Sequence, residues 1–412
     1  MGLFRSSPRP GHAAGAGESA APREGFPYLG ADEVYLDAAC QSLRPQPVLD
    51  AMAAYATGYP ACGDRVAYAW GARVSTEVDA VRTAALAAFG LSPRRHSCAF
   101  TLNTTYGINL LLQQLPAGRY ARVVTSHAEH NAVFLSTMTA AARLGIPRVV
   151  VDRVVDAQRG VAHLDLDGVD LTDAVVVVSA MDNVTGTPTA DLAGVVTAAR
   201  ARGGIVIVDA AQAAPHARAS LHGLAADALC FSSHKMSGPA LGVVLASNSL
   251  LGSLEPSFVG GGQVASVSEA GFEPLAALHS RLEPGLQAWE SIIGFGAALA
   301  WAGARADEIA ARERRLGVRL FDGLTVMPHL RMFTPAASTV VSVVPERVDA
   351  HRLAVFLSKA GIMARSGHFC AHHWLDEREH LPALLRFSVG AHSTDGDVDR
   401  ALEVMSRMMK GL

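Results

Sequence analysis

A chain of 412 residues, half of them hydrophobic and 18% charged, can bury more than one core, so we expect two domains. Its formal net charge of -3 gives no reason to expect nucleic acid or an anionic membrane surface as a partner, and no apolar run is long enough to span a membrane. Five scattered cysteines without a CxxC pair are typical of free thiols in a reducing, cytoplasmic compartment rather than of a disulfide framework.

The first segment, residues 1–32, is rich in Ala, Gly, Pro and Ser and predicts a disordered arm. It lacks the apolar middle of a signal peptide. Ordered structure is expected from residue 33, with a short strand over 34–36. A helix opened by Pro45 or Pro47 and a second helix over 74–89 follow.

Apolar strand-like runs then alternate with helical runs. The predicted strands cover 122–125, 148–151, 174–179, 205–208, 228–231 and 242–246, and the predicted helices cover 108–115, 132–144 and 190–201. Because the valine and isoleucine runs lack polar alternation, they indicate strands buried on both faces. We therefore expect an α/β fold with a mostly parallel sheet flanked by helices.

The C-terminal part of the chain predicts a smaller α+β domain. A long helix over 292–311 would lead into it, and its other elements are strands over 340–344 and 386–389, a helix over 349–359 and a closing helix from Asp397. The expected organisation is thus a large domain over 33–290 and a small domain over 291–412.

One lysine follows the apolar run 228–231, in the stretch FSSHKMSGP (231–239). Lys235 would hang from a loop at a strand end, where apolar surroundings weaken the affinity of its amine for protons. A neutral amine is what a Schiff-base lysine needs in order to attack an aldehyde. A solvated loop lysine is the alternative that this stretch alone leaves open.

Other polar residues also follow predicted strands, where ligands bind in such sheets. Asp209 ends the strand 205–208, and a buried carboxylate is costly unless it is paired. A protonated pyridine nitrogen would be such a partner, whereas an N-cap role on the following helix is the alternative. Thr104 and Thr105, with helix N-terminal amides, offer a phosphate cradle, although such caps also occur without a ligand.

Ten motifs occur together from about Tyr35 to Met408. They are YLDAACQSLRP (35–45), NTTYGINL (103–110), AEHNAV (128–133), DNVTGT (182–187), VDAAQAAPH (208–216), FSSHKMSGP (231–239), VGGGQ (259–263), RLEPG (281–285), RSGHFCAH (365–372) and RFSVGAHST (386–394). With these motifs the chain resembles the class V aminotransferase-like branch of the fold-type I enzymes that use pyridoxal 5'-phosphate. Within that branch it is most similar to the cysteine desulfurases of the sulfur-mobilising type.

The resemblance implies pyridoxal phosphate as cofactor and gives roles to individual residues. Lys235 would carry the cofactor as a Schiff base, Asp209 would pair with the pyridine nitrogen and Gln212 would face the phenolic oxygen. His130 would stack on the ring and help to shuttle protons. The phosphate would be held by Thr104, Thr105, Ser232 and His234.

The resemblance also implies how an amino-acid substrate would be bound. Asn183 and Arg386 would grip its carboxylate, with Arg365 nearby. Cys370 would take sulfur from L-cysteine as a persulfide and leave L-alanine, and an acceptor protein or thiol would collect the sulfur.

The sequence around Cys370 agrees with a reactive thiol, because Arg365 and His368 would favour the thiolate. A buried structural thiol is one alternative. A zinc site formed by Cys370 with His368, His372 and His373 is another. Four candidate ligands within six positions are too crowded for one segment to wrap a tetrahedral ion, so no metal is expected.

Several positions near the substrate depart from the family pattern. The position after RLEPG usually bears a hydroxyl that reaches the phosphate of the neighbouring subunit and is Leu286 here, although a homodimer is still expected. Residues 371–374 replace the usual Gln/Met-Pro. These changes leave open a C–S lyase acting on an S-substituted cysteine, or a decarboxylating or epimerising relative. A non-catalytic scaffold is a third interpretation, against which the intact Lys235, Asp209 and His130 argue.

Overall fold

The computed structural model describes residues 22–64 and 66–411. The helices are α1 (Gln46–Gly58), α2 (Ala69–Ala88), α3 (Thr104–Gln113), α4 (Asn131–Leu144), α5 (Leu192–Arg200), α6 (Ala213–His216), α7 (Arg218–Leu221), α8 (Asn248–Ser253), α9 (Trp289–Gly303), α10 (Ala306–Thr325), α11 (Ala350–Lys359) and α12 (Asp395–Lys410). The strands are β1 (Val34–Tyr35), β2 (His96–Thr101), β3 (Arg122–Ser126), β4 (Arg148–Val151), β5 (Arg153–Asp156), β6 (Val161–Leu164), β7 (Ala174–Ser179), β8 (Ile205–Asp209), β9 (Ala228–Ser232), β10 (Gly242–Ser247), β11 (Val264–Ser268), β12 (Gly271–Pro274), β13 (Leu330–Met332), β14 (Val340–Pro345), β15 (Ile362–Met363), β16 (Arg365–Gly367) and β17 (Leu384–Ser388). None of the helices within these residues is long and apolar enough to cross a membrane.

A seven-stranded sheet in the order β2-β10-β9-β8-β7-β3-β4 forms the centre of the large domain. The pairs from β9 to β4 are parallel, as the valine-rich runs predict, and β7 is buried along its whole length. β10 differs, because it runs antiparallel to both β9 and β2. Residues 233–241 join β9 to β10, and this connection is shorter than the roughly dozen residues that a parallel crossover needs.

A four-stranded antiparallel sheet, β13-β14-β17-β16, forms the centre of the small domain. Its core also contains Val34 and Leu36, and β1 pairs in parallel with β15. The N-terminal strand, which the sequence assigned to the large domain over 33–290, therefore packs in the small domain. The reason is that its apolar residues are buried against the C-terminal core rather than the central sheet.

The predicted disordered arm over 1–32 is too long at its C-terminal end. Its residues 1–21 lie outside the described part of the chain. Residues 22–32 begin with a short 3-10 helix, and Phe26 is 1% exposed with its ring edge against Trp301. One buried aromatic ring is enough to tie this segment to the folded chain.

The long helix predicted over 292–311 is two helices, α9 and α10, separated at Ala304 and Arg305. α9 buries Ile292 and Phe295 in the core of the large domain. α10 buries Leu316 in the core of the small domain. The break allows each helix to pack on its own core, and neither proline nor a glycine pair marks it in the sequence.

Candidate active site

The residues expected at the site converge on one cavity of about 300 Å³. It lies where the carboxyl ends of the parallel strands meet the small domain. All the expected residues line it, namely Thr104, Thr105, His130, Asn183, Asp209, Gln212, Ser232, His234, Lys235, Arg365, Cys370 and Arg386. The fold thus brings together side chains that are far apart in the chain, while their individual roles remain predictions.

Lys235 ends a single 3-10 turn that follows β9. The turn is fixed from outside by Ser42, whose amide donates to the carbonyl of His234 at 2.9 Å and whose hydroxyl accepts from the amide of Ser237 at 2.6 Å. Burial lowers the pKa of the Lys235 amine, Asp209 opposes this effect and a neighbouring arginine reinforces it. The Lys235 amine therefore loses its proton at a lower pH than the amine of a solvated lysine does.

Asp209 is the last residue of β8 and is 5% exposed. Its Oδ1 accepts a hydrogen bond from the amide of Ala211 at 2.9 Å. Burial raises the pKa of Asp209, and the Ala211 amide and Lys235 act in the opposite direction. The second oxygen of the carboxylate does not accept from Ala211. A cationic partner inside the cavity would therefore stabilise the buried charge.

Gln212 lies beside Asp209 and is also buried. Its Nε2 donates to the carbonyl of Ala39 at 2.7 Å, whereas its Oε1 has no hydrogen-bond partner among the described residues. A buried amide oxygen without a partner is costly. Gln212 and Asp209 therefore form a polar wall suited to a bound polar ring.

The N-terminus of α3 forms another part of the cavity lining. Asn103 caps the helix by accepting from the amide of Tyr106 at 2.9 Å. The amide of Thr104 donates to Ser232 Oγ at 2.9 Å, and the two hydroxyls lie 2.6 Å apart. Helix N-terminal amides next to hydroxyls are a favourable place for an anion such as a phosphate.

His130 is the N-cap residue of α4 and its side chain lines the cavity. Its Nδ1 accepts from the amide of Ala132 at 3.0 Å, so the hydrogen of the neutral ring is on Nε2. Burial, with Lys235 and Arg386 nearby, lowers the pKa of His130 to about 3. The ring is therefore neutral around neutral pH and able to lie against a bound ring.

Glu129, which the sequence did not single out, anchors the loop that carries His130. Its carboxylate accepts from Ser126 Oγ at 2.7 Å and from the amide of Ser179 at 3.0 Å, which joins the loop to the ends of β3 and β7. Burial raises the pKa of Glu129 to about 7, opposed by hydrogen bonds from the hydroxyls of Ser179 and Ser126. In the sequence, the signal that could have identified Glu129 was its position in the motif AEHNAV, directly before His130.

The two arginines expected at the substrate carboxylate share one counter-ion, Asp37. Arg386 donates from Nη2 to Asp37 at 3.2 Å and from Nη1 to the carbonyl of Asn183 at 2.8 Å, while its buried Nε has no partner among the described residues. Arg365 donates from Nε to the same carboxylate at 2.9 Å. Asp37 lies in the motif YLDAACQSLRP, where the sequence suggested only a turn.

Cys370 is exposed on a loop with an unusual backbone. Phe369 and Cys370 both have positive φ values, 50° and 58°. The loop is held by Asn183 Nδ2, which donates to the carbonyl of Phe369 at 2.6 Å, and by the amide of Asn131, which donates to the carbonyl of Cys370 at 2.6 Å. These bonds hold two consecutive residues in the left-handed backbone conformation, which residues with a β-carbon rarely adopt.

The histidines near Cys370 contact other groups. His372 Nδ1 lies 3.1 Å from the side-chain amide of Asn131, and His373 Nε2 lies 3.0 Å from His127 Nδ1. The His373 ring also stacks on Phe134 at 4.0 Å between centroids. In the part of the chain that the structure describes, no group of three or more His, Cys, Asp or Glu residues is arranged to hold a metal ion.

Comparisons with known proteins agree with this geometry. The family model for Aminotransferase class-V matches residues 34–401. A cysteine desulfurase from Klebsiella pneumoniae subsp. pneumoniae is 31% identical over 402 residues, which cover 94% of this chain and 97% of that protein. The cysteine desulfurase CsdA from Escherichia coli is 30% identical, with coverage of 94% and 97%.

Solved structures show the same fold. The apo structure of a cysteine desulfurase from Thermococcus onnurineus NA1 matches with a TM-score of 0.84 at 27% identity, over 95% of this chain and 98% of that one. The crystal structure of CsdA from Escherichia coli, with an S-sulfonic acid, also gives a TM-score of 0.84 at 27% identity, over 96% and 100%.

Proposed function

Because the chain belongs to the Aminotransferase class-V family, we propose that it is a pyridoxal phosphate-dependent cysteine desulfurase. It converts L-cysteine to L-alanine and passes the sulfur to Cys370 as a persulfide. The observation that carries this proposal is that Lys235 of the large domain and Cys370 of the small domain line one small cavity together with Arg386. The cysteine desulfurases among its relatives support the same reaction.

The residues of the cavity fit pyridoxal phosphate as the cofactor. Asp209 and the unpartnered Gln212 Oε1 form the polar wall for its ring, and Thr104 and Ser232 form the end for its phosphate. The neutral His130 would lie against the ring. When bound, the cofactor supplies an electron sink at the α-carbon of an amino acid.

The substrate carboxylate is assigned to Arg386. Its buried Nε is free to donate, and Asn183 and Asp37 fix the guanidinium from the other side. A bidentate contact from a guanidinium orients a carboxylate as well as binding it. The substrate amine and α-proton then lie toward Lys235, whose low-pKa amine can accept a proton.

Cys370 performs the sulfur step. Its thiolate attacks the sulfur of the substrate, a bond forms between the two sulfur atoms, and the bond from that sulfur to the β-carbon breaks. The bonding electrons stay on the β-carbon, which gains a proton and becomes the methyl group of alanine. Because Cys370 is exposed, an acceptor protein or thiol can reach the persulfide afterwards.

We also propose a homodimer. The region from 258 to 286 exposes several large apolar side chains, and Leu286 is 78% exposed. Phe258, Val267 and Phe272 belong to the same group. Large apolar side chains exposed in one segment are often covered by a partner, and we assign that role to a second copy of the chain. Five unpaired cysteines support a reducing, cytoplasmic location.

The test of the proposed function is product analysis of the cofactor-loaded protein with L-cysteine and a reductant. Alanine and sulfide in equal amounts are expected. Pyruvate and ammonia in place of alanine would instead make the protein a C–S lyase. A protein that binds the cofactor but forms neither product would overturn the proposal for free cysteine.

A further inference from the structure

A second cysteine, Cys40, lines the cavity that contains Cys370. The proposed function uses Cys370 and gives no role to Cys40. The remaining cysteines lie elsewhere: Cys98 is buried in β2, Cys230 is buried in β9, and Cys62 is exposed away from the cavity lining. The fold therefore brings two thiols that are far apart in the sequence to one small cavity.

The turn that carries Cys40 is fixed by residues of the active site. The carbonyl of Ala39 accepts from Gln212 Nε2 at 2.7 Å, and the amide of Ala39 donates to Ser388 Oγ at 2.9 Å. On the other side, Ser42 binds the carbonyl of His234 at 2.9 Å. Cys40 is thus held between Gln212, which belongs to the polar wall of the cavity, and the loop that carries Lys235.

Asp37 connects the turn of Cys40 to the segment of Cys370. The amide of Cys40 donates to the carbonyl of Asp37 at 3.0 Å, while the Asp37 carboxylate binds Arg365 in β16. β16 leads directly to Cys370. The cavity of about 300 Å³ is at the small end of the range for ligand sites, and Cys40 and Cys370 both line it.

Cationic groups also surround Cys40. Lys235, Arg365 and Arg386 each lie close enough to Cys40 for an electrostatic interaction. Cys40 is half-buried on the cavity wall and is therefore accessible to a bound group, unlike the buried Cys98 and Cys230.

We propose that Cys40 is a second sulfur carrier, which accepts the sulfane sulfur from Cys370. This inference rests on the proposed function. The terminal sulfur of the Cys370 persulfide comes from the substrate and therefore starts inside the cavity. The Cys40 thiolate attacks that protonated terminal sulfur, a bond forms between them, and the bond to Cys370 Sγ breaks. Cys370 leaves as a thiolate and Cys40 holds the persulfide, so no oxidant or reductant is consumed.

The relay has a stoichiometric consequence. Once the sulfur is on Cys40, Cys370 is free to take a second sulfur. Each chain can then form two molecules of alanine before any acceptor or reductant is needed. A chain without Cys40 stops after one.

The first experiment locates the sulfur after a brief reaction without reductant. Trypsin cuts after Arg23 and next after Arg65, since Pro45 follows Arg44, so Cys40 and Cys62 fall on one peptide. The cofactor-loaded Cys62→Ser variant is therefore mixed with two equivalents of L-cysteine per chain, alkylated and digested. Mass spectrometry should find an extra sulfur on the peptide of Cys40 as well as on the peptide 366–378 of Cys370.

The second experiment compares burst amplitudes of alanine. Cys40→Ser in the Cys62→Ser background should lower the burst two-fold, while Cys62→Ser alone should match the wild type. Cys370→Ser should leave no extra sulfur on Cys40, because the sulfur passes through Cys370. If the Cys40 variant fails to load the cofactor, the peptide map of the Cys62→Ser protein decides.

The outcomes separate the relay from the proposed function. Alanine formation with sulfur on Cys370 alone would overturn the relay and leave the desulfurase standing. A peptide pair linked by a Cys40–Cys370 disulfide with release of sulfide would also overturn it, because Cys40 would then have attacked the inner sulfur. Absence of alanine with reductant present would overturn the proposed function itself.

Discussion

At the scale of single residues, Asp37 is the counter-charge of two arginines that line the cavity. It is the partner of both Arg365 and Arg386, and the latter is buried. Removing one partner of a buried ion pair leaves an uncompensated charge. A substrate carboxylate bound at Arg386 would supply a second anion to the same group of cations.

Asp37→Asn should therefore destabilise the protein without ligand by about 3 kcal/mol, because Arg386 loses its counter-charge. L-Alanine, the product, should raise the melting temperature of the cofactor-loaded variant more than that of the wild type, since its carboxylate replaces the missing anion. Thermal unfolding with and without L-alanine measures both effects. Equal shifts in the two proteins would mean that the carboxylate binds away from Arg386.

Glu129 gives a prediction about pH. Its pKa in the folded protein is about 7, raised from 4.5, so the folded state binds more protons than the unfolded state between these values. Stability from this group is then present at low pH and falls as the pH rises toward 7. The loss amounts to roughly 3 kcal/mol at most.

Glu129→Gln should abolish this pH dependence. The difference in unfolding free energy between the variant and the wild type should shift in favour of the variant as the pH rises from 5 to 7, by denaturant titration at each pH. Parallel curves for the two proteins would show that Glu129 does not titrate in this range.

The site residues show how far sequence reasoning extends at this scale. Lys235 and Asp209 could be identified from the sequence itself, because a charged residue at the end of an apolar run indicates a structural or functional role. The positions of Cys370 and Arg386 came from the resemblance, since a loop cysteine and a strand arginine carry no periodic signal. Asp37 was missed because its role depends on two arginines more than 300 residues away in the chain.

At the scale of elements, a buried ion pair attaches α2 to the central sheet. Arg82 of α2 donates to both oxygens of Glu283 at 2.6 and 2.8 Å, and Glu283 also accepts from the amide of Phe100 in β2 at 2.6 Å. This carboxylate thus joins a helix, an edge strand and the segment 281–285. Both charged side chains are buried.

Arg82→Ala should cost about 3–5 kcal/mol of unfolding free energy, because it leaves the buried Glu283 carboxylate unpaired. Arg407→Ala is the matched control. Arg407 pairs with Glu403 on the surface of α12, and its loss should cost less than about 1 kcal/mol. Denaturant unfolding of both variants compares them, and similar costs would contradict the structural role of the buried pair.

The elements that sequence patterns predicted were the ones with continuous apolar runs. β3, β7 and β8 match their predicted positions closely because a largely buried run of valine and isoleucine is distinctive. β2 was missed, since its sequence HSCAFT has no such run. The break between α9 and α10 depends on which core each helix packs against, and local sequence does not contain that information.

At the scale of the whole molecule, the proposed active site lies where the two domains meet. The large domain contributes Lys235, Asp209 and His130, and the small domain contributes Arg386 and Cys370. β1 pairs with β15 of the small domain and leads to the turn of Asp37 and Cys40. The central claim is therefore that Lys235 and Cys370 act on the same cysteine molecule.

Comparison of the wild type with Cys370→Ser in the presence of cofactor and L-cysteine tests this claim most directly. The cofactor absorbance should change on addition of L-cysteine in both proteins, because the amino acid still binds at Lys235 and Arg386. Only the wild type should form alanine, with a fall of at least about 100-fold in the variant, since the nucleophile for sulfur is lost. Equal rates of alanine formation in the two proteins would contradict the claim that Cys370 takes the sulfur.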